Sequence, residues 1–95
     1  MDASARKENK MKKFEYIITE PVGIHARPAG LLVKAASVYE SSITIERDGK
    51  TADVKRLMAL MSLGVKCDEK VTFIIEGTDE DIAVADLEAF CKENL

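Results

Sequence analysis

Apolar and polar residues alternate from Lys13 to Thr19, with Phe14, Tyr16 and Ile18 on one side, the period-two pattern of a half-buried strand. Pro21 and Gly23 end it. From Ala26 to Tyr39 the period becomes helical: Ala29, Leu32, Val33 and Ala36 fall at i, i+3, i+4 and i+7. Pro28 lies in the first turn, where its missing N–H leaves no bond unmade. Ser41 and Ser42 interrupt the helix. Ile43 and Ile45 then alternate with Thr44 and Glu46, and Asp48-Gly49 is a strong hairpin signal that returns the chain as Lys50 to Val54. A short helix follows, about Lys55 to Leu63, with Gly64 at its C′ position. Lys70 to Glu76 is a fourth strand, with Val71, Phe73 and Ile75 on one face. Thr78 or Asp79 caps a last helix to about Glu93, lined inside by Ala83, Leu87 and Phe90. This βαββαβα order predicts an α+β fold: a four-stranded antiparallel sheet whose one apolar face is covered by three helices.

Composition narrows the function classes. Ninety-five residues, 33% charged and 46% hydrophobic, suit one small domain. Residues 1–10 are polar and aperiodic and read as a disordered tail or a cloning scar, leaving 11–95 as the domain. No apolar run is long enough to span a membrane and no signal-peptide pattern occurs, so a cytoplasmic protein without membrane insertion is expected. A net charge of −3 argues against nucleic-acid binding. Cys67 and Cys91 are isolated, and one histidine cannot complete a zinc site with them, so no metal is expected.

The single histidine stands in Gly23-Ile24-His25-Ala26-Arg27-Pro28-Ala29-Gly30, at about the N-cap of the first helix. A helix N-terminus exposes unpaired N–H groups and a partial positive charge, and so attracts anions. An imidazole there, with a guanidinium two residues on, sets a nucleophilic nitrogen beside a phosphate cradle. The pattern suggests a histidine that is itself phosphorylated. The amides of Ala26 and Arg27 are the natural donors to a phosphoryl group, since Pro28 has none. Arg27 can offset the charge of the group in flight. Gly23 gives the chain a sharp approach to the helix, and Gly30 keeps the surface low beside the site.

The motif Gly-Ile-His-Ala-Arg-Pro-Ala, the hairpin Asp-Gly-Lys and the run Met58-Ala59-Leu60-Met61-Ser62-Leu63-Gly64-Val65 resemble the HPr family, the histidine-containing phosphocarriers of the bacterial phosphotransferase system. The resemblance covers Met11 to about Asn94. It implies an open-faced β-sandwich, and it implies that His25 accepts a phosphoryl group on Nδ1 from enzyme I and passes it to enzyme IIA proteins, with Arg27 assisting. No cofactor is implied for the carrier itself. Two other readings stay open from the residues: a paralogous carrier in a nitrogen-related or other regulatory phosphorelay, and a docking-only module, which would not need His25 and Arg27.

The short helix is a candidate docking surface. Leu57, Met58 and Met61 offer an adaptable apolar patch, with Lys34, Lys55 and Arg56 adding positive charge around it. Leu60 and Leu63 are expected inward and Leu57 and Met61 outward near His25; the pattern leaves Met58 open. A carrier that presents one face to successive partners is expected to be a monomer. Many Gram-positive family members carry a regulatory serine at the start of this helix; Arg56 stands there instead and cannot be phosphorylated by a serine kinase. Asp68 occupies a position where relatives have a turn glycine, and aspartate tolerates the left-handed conformation.

Overall fold

The computed structural model describes residues 11–95; the expected tail, residues 1–10, lies outside them. The described residues form four strands and three helices: β1 Lys12–Ile17, α1 Ala26–Ser37, β2 Ser42–Arg47, β3 Lys50–Asp53, α2 Leu57–Ser62, β4 Lys70–Glu76 and α3 Glu80–Asn94. The sheet is antiparallel throughout, in the order β1-β4-β2-β3. This is the α+β open-faced sandwich that the sequence pattern predicts.

Register follows the alternation. Val71, Phe73 and Ile75 are buried on the helix side of β4, opposite Tyr16, Phe14 and Lys12 of β1, while Ile43 and Ile45 face Ile75 and Phe73 from β2. The rings of Phe14 and Phe73 stack with centroids 4.8 Å apart. Asp48 (φ 54°) and Gly49 (φ 83°) are both left-handed, the combination that a two-residue hairpin matched to strand twist requires. The helices close the core with Ala29, Leu32 and Ala36 from α1, Leu60 from α2, and Ala83, Leu87 and Cys91 from α3.

Several boundaries differ from expectation because side chains compete for the backbone. The first helix stops at Ser37, two residues early. The chain beyond it is claimed by α3: the Tyr39 hydroxyl donates to Asp86, and the amides of Glu40 and Ser41 donate to the Asp79 carboxylate at 2.8 and 3.0 Å. Asp79 does occupy the N-cap of α3, but its carboxylate makes no cap bond. Glu80 instead ties the approach to the helix, its Oε1 accepting from the Gly77 amide at 2.9 Å. The short helix begins at Leu57 rather than Lys55, because Asp53 takes the Lys55 amide on its side chain (2.9 Å) and the Arg56 amide on its carbonyl (3.0 Å). Phe90 is only partly buried; Cys91, one residue on, completes the inner stripe of α3.

Gly64 (φ 67°) follows α2 at C′ as expected. The loop after it is tied down at both ends. Arg47 Nη2 donates to the Leu63 carbonyl (2.8 Å) and Nη1 to Glu69 (3.1 Å), while Glu69 also accepts the Lys66 amide (2.8 Å). Asp68 holds the left-handed conformation (φ 72°), and its amide donates to the Ile18 carbonyl at 2.7 Å. This loop is the floor on which the segment before His25 rests.

Candidate functional site

The approach to His25 is a tight double turn. The Gly23 amide donates to the Glu20 carbonyl (2.8 Å), closing a turn with Pro21 and Val22 at its centre, and the His25 amide donates to the Gly23 carbonyl (3.0 Å). The Ile24 amide donates to the Val65 carbonyl (3.0 Å), fixing the turn to the floor loop. Glycine is required at position 23 twice over. Its φ is +77°, and a Cβ there would lie 2.4 Å from the Val65 carbonyl oxygen and 2.7 Å from Lys66 Cα, both main-chain atoms.

His25 is the N-cap of α1, with extended backbone (φ −96°, ψ −170°). Its carbonyl accepts the Ala29 amide at 2.9 Å, the first bond of the helix. Its ring makes no cap bond. The amides of Ala26 and Arg27 have no acceptor among the described residues, and Pro28 has none to offer. The first turn carries no acidic residue, so nothing in the helix itself neutralises that end. Arg27 is exposed and makes no hydrogen bond or ion pair among the described residues. The helix end thus carries an imidazole, two unpaired amides and a guanidinium within three consecutive residues, a set of groups that can receive an anion.

His25, Arg27 and Pro28 line a shallow cleft with Glu20, Val22, Leu31, Glu93 and Asn94. The last two arrive from α3. The Leu95 main-chain oxygen accepts from the amides of Thr19 (2.5 Å) and Glu20 (2.8 Å) and from Thr19 Oγ1 (3.2 Å), which draws the end of α3 against the His25 turn. The sequence reading missed Glu20, Glu93 and Asn94. Pro21 signals the turn that faces Glu20 toward His25, but no local pattern announces residues from the far end of the chain.

The docking candidates stand apart from this cleft. Lys34, Arg56, Leu57 and Met58 are all exposed, Met58 at 72%, and α2 packs against α1. Met61 departs from expectation: it is half-buried and packs on the core, because the six-residue helix turns that face inward beside Leu60. Leu60 and Leu63 are buried as expected. Ala26 is exposed beside the ring. Among the described residues no helix is long and apolar enough to cross a membrane, and no three His, Cys, Asp or Glu side chains cluster to hold a metal ion.

The fold and this helix end together define an open-faced sandwich that presents one histidine beside unpaired main-chain donors. A family model described as the PTS HPr component phosphorylation site matches residues 12–93. The phosphocarrier protein HPr of Mycoplasma genitalium is 39% identical over 85 residues, spanning 88% of this chain and 97% of that protein. The crystal structure of HPr from Bacillus anthracis is 35% identical, with a TM-score of 0.81 over 87% of this chain and 99% of that one. An HPr dimer from Thermoanaerobacter tengcongensis is 38% identical, with a TM-score of 0.70 over 82% and 90%. The chain belongs to the HPr family of phosphocarriers of the phosphotransferase system.

Proposed function

We propose that this protein carries a phosphoryl group on Nδ1 of His25, received from phospho-enzyme I and passed to enzyme IIA proteins. The observation that carries the reading is the helix end itself: His25 at the N-cap, with the amides of Ala26 and Arg27 unpaired and the Arg27 guanidinium free among the described residues. Neutral imidazole is a good nucleophile and its bond to phosphorus is labile, so the group is accepted and surrendered readily. The two amides would hold phosphoryl oxygens, and Arg27 would offset their charge during transfer. Exposed Leu57 and Met58, with Lys34 and Arg56 nearby in charge, supply an adaptable surface for weak, successive docking, steered by acidic rims on the partners. Met61, half-buried, contributes only its exposed edge.

Arg56 at the N-cap of α2 has no hydroxyl to phosphorylate, so regulation through a serine at that position is absent in this reading. The carrier acts as a cytoplasmic monomer; sedimentation at working concentration tests this, since some relatives are dimers. The central test is intact mass after incubation with phosphoenolpyruvate, magnesium and active enzyme I. One acid-labile phosphoryl adduct, missing in His25→Ala, is the expected result. No adduct, or an adduct retained in His25→Ala, overturns the assignment.

A further inference from the structure

A carboxylate faces the ring of His25 from the preceding turn. Glu20 Oε2 lies 3.9 Å from Nε2, with the two side chains 32% and 39% exposed. The main chain of Glu20 is held on both sides, its amide donating to the Leu95 oxygen and its carbonyl accepting from Gly23, each at 2.8 Å. The carboxylate therefore starts from a fixed Cα. It makes no other ion pair or hydrogen bond among the described residues. The opposite nitrogen, Nδ1, has no partner among those residues either, since the ring does not cap its own helix.

We propose that Glu20 is a positioning residue for His25: its carboxylate faces the Nε2–H, favours that proton where it is, and so leaves Nδ1 as the unprotonated nitrogen. The proposal rests on His25 being the phosphoryl acceptor. A neutral imidazole carries its proton on one nitrogen and its lone pair on the other, and a carboxylate only accepts. A carboxylate facing Nε2 therefore selects the tautomer with the lone pair on Nδ1 and fixes the ring's rotation, as a carboxylate does for a histidine in other nucleophilic sites. The contact is longer than a hydrogen bond, so the carboxylate acts on the Nε2–H through its charge across a partly exposed gap.

The step balances without any added reactant. The Nδ1 lone pair forms the bond to phosphorus while the donor's bond to phosphorus breaks, and the donor keeps that electron pair. Nε2 keeps its proton. The ring thereby becomes a phosphorylated imidazolium, and its positive charge is the one Glu20 faces. Onward transfer reverses the sequence, and the ring returns to the neutral tautomer that Glu20 favours.

The test is long-range ¹⁵N–¹H NMR of the full chain at about pH 9, well above the ordinary imidazole value. His25 is the only histidine, so its ring signals need no assignment. The parent is expected in the Nε2–H form. Glu20→Ala should raise the Nδ1–H share about two- to fivefold, the worth of a partly exposed charge facing the proton. Glu20→Gln, whose amide oxygen faces the same N–H as a dipole without the charge, should fall between the parent and Glu20→Ala. An unchanged tautomer ratio in Glu20→Ala, with native amide dispersion, overturns the proposal. If that variant loses its dispersion, Glu20→Met keeps the side chain's length and gives the same readout. The measurement needs no phosphoryl donor. Its failure leaves the acceptor role of His25 standing, and failure of the mass experiment leaves the tautomer result standing.

Discussion

Replacing Gly23 by alanine tests the mechanical link between the floor loop and the site. An added Cβ would lie 2.4 Å from the Val65 oxygen and 2.7 Å from Lys66 Cα, so the two main chains must separate by roughly half an ångström or more. Neither atom belongs to a flexible side chain that can swing aside. Three effects combine. The left-handed φ of +77° costs an L-residue about 1–2 kcal/mol. The forced separation adds about 1–3 kcal/mol, including the bond from the Ile24 amide to Val65, 3.0 Å in the native protein. Alanine returns about 0.4–1 kcal/mol by restricting the unfolded chain. Destabilisation of about 2–4 kcal/mol is the expected net. Urea unfolding followed by fluorescence or circular dichroism measures it. Phosphoryl uptake, measured at low temperature where the variant remains folded, should also fall, because His25 is two residues from the displaced atom. A loss of less than about 1 kcal/mol, no more than an ordinary surface change, would refute the argument that this close approach holds the site.

Gly30 is the matching control. A Cβ there meets nothing within 4 Å and the residue is helical, so Gly30→Ala should stabilise by about 0.5–1 kcal/mol in the same urea assay. Cys91 is fully buried and burial, with Glu88 nearby, pushes its thiol up to about 12, whereas Cys67 is partly exposed. One thiol should react with a disulfide reagent in the native protein and two after unfolding. The reactive one should be slow for an accessible thiol, because desolvation and Asp68 raise its pKa as well. Asp79 is held below the usual aspartate range, first by the Ser41 hydroxyl and then by the amides of Glu40 and Ser41. Its carboxyl loses protons more readily in the folded protein than in the unfolded chain, so its stabilisation is complete above the unfolded value of about 3.9 and is lost as pH falls through the lower folded value. Acid unfolding of Asp79→Asn should therefore show a shallower loss of stability across that window than the parent.

The strand and helix periods are local properties, and they were sufficient to read nearly every element. Burial along β4 alternates at every position, because the strand is central in the sheet with one face against the helices and the other open, where Ile74 is the one apolar residue. The Asp48-Gly49 turn was legible because only left-handed residues close such a hairpin. Met61 was misplaced because apolar residues wrap nearly all of a six-residue helix, and periodicity cannot choose a face when every face is apolar. The end of α1 was misread because Tyr39 continues the apolar pattern, while its hydroxyl and the amides after it find acceptors on α3, more than thirty residues away.

His25, Arg27 and the unpaired amides of Ala26 and Arg27 were determined by seven consecutive residues, because a helix start is built from its own first turn. Only the tertiary structure decided that β4 inserts between β1 and β2, that the Val65 carbonyl presses against Gly23, and that Glu20 and the end of α3 flank the ring. Those contacts join segments tens of residues apart. Their cost and gain arise when the sheet and helices pack, and no single window of the chain contains both partners.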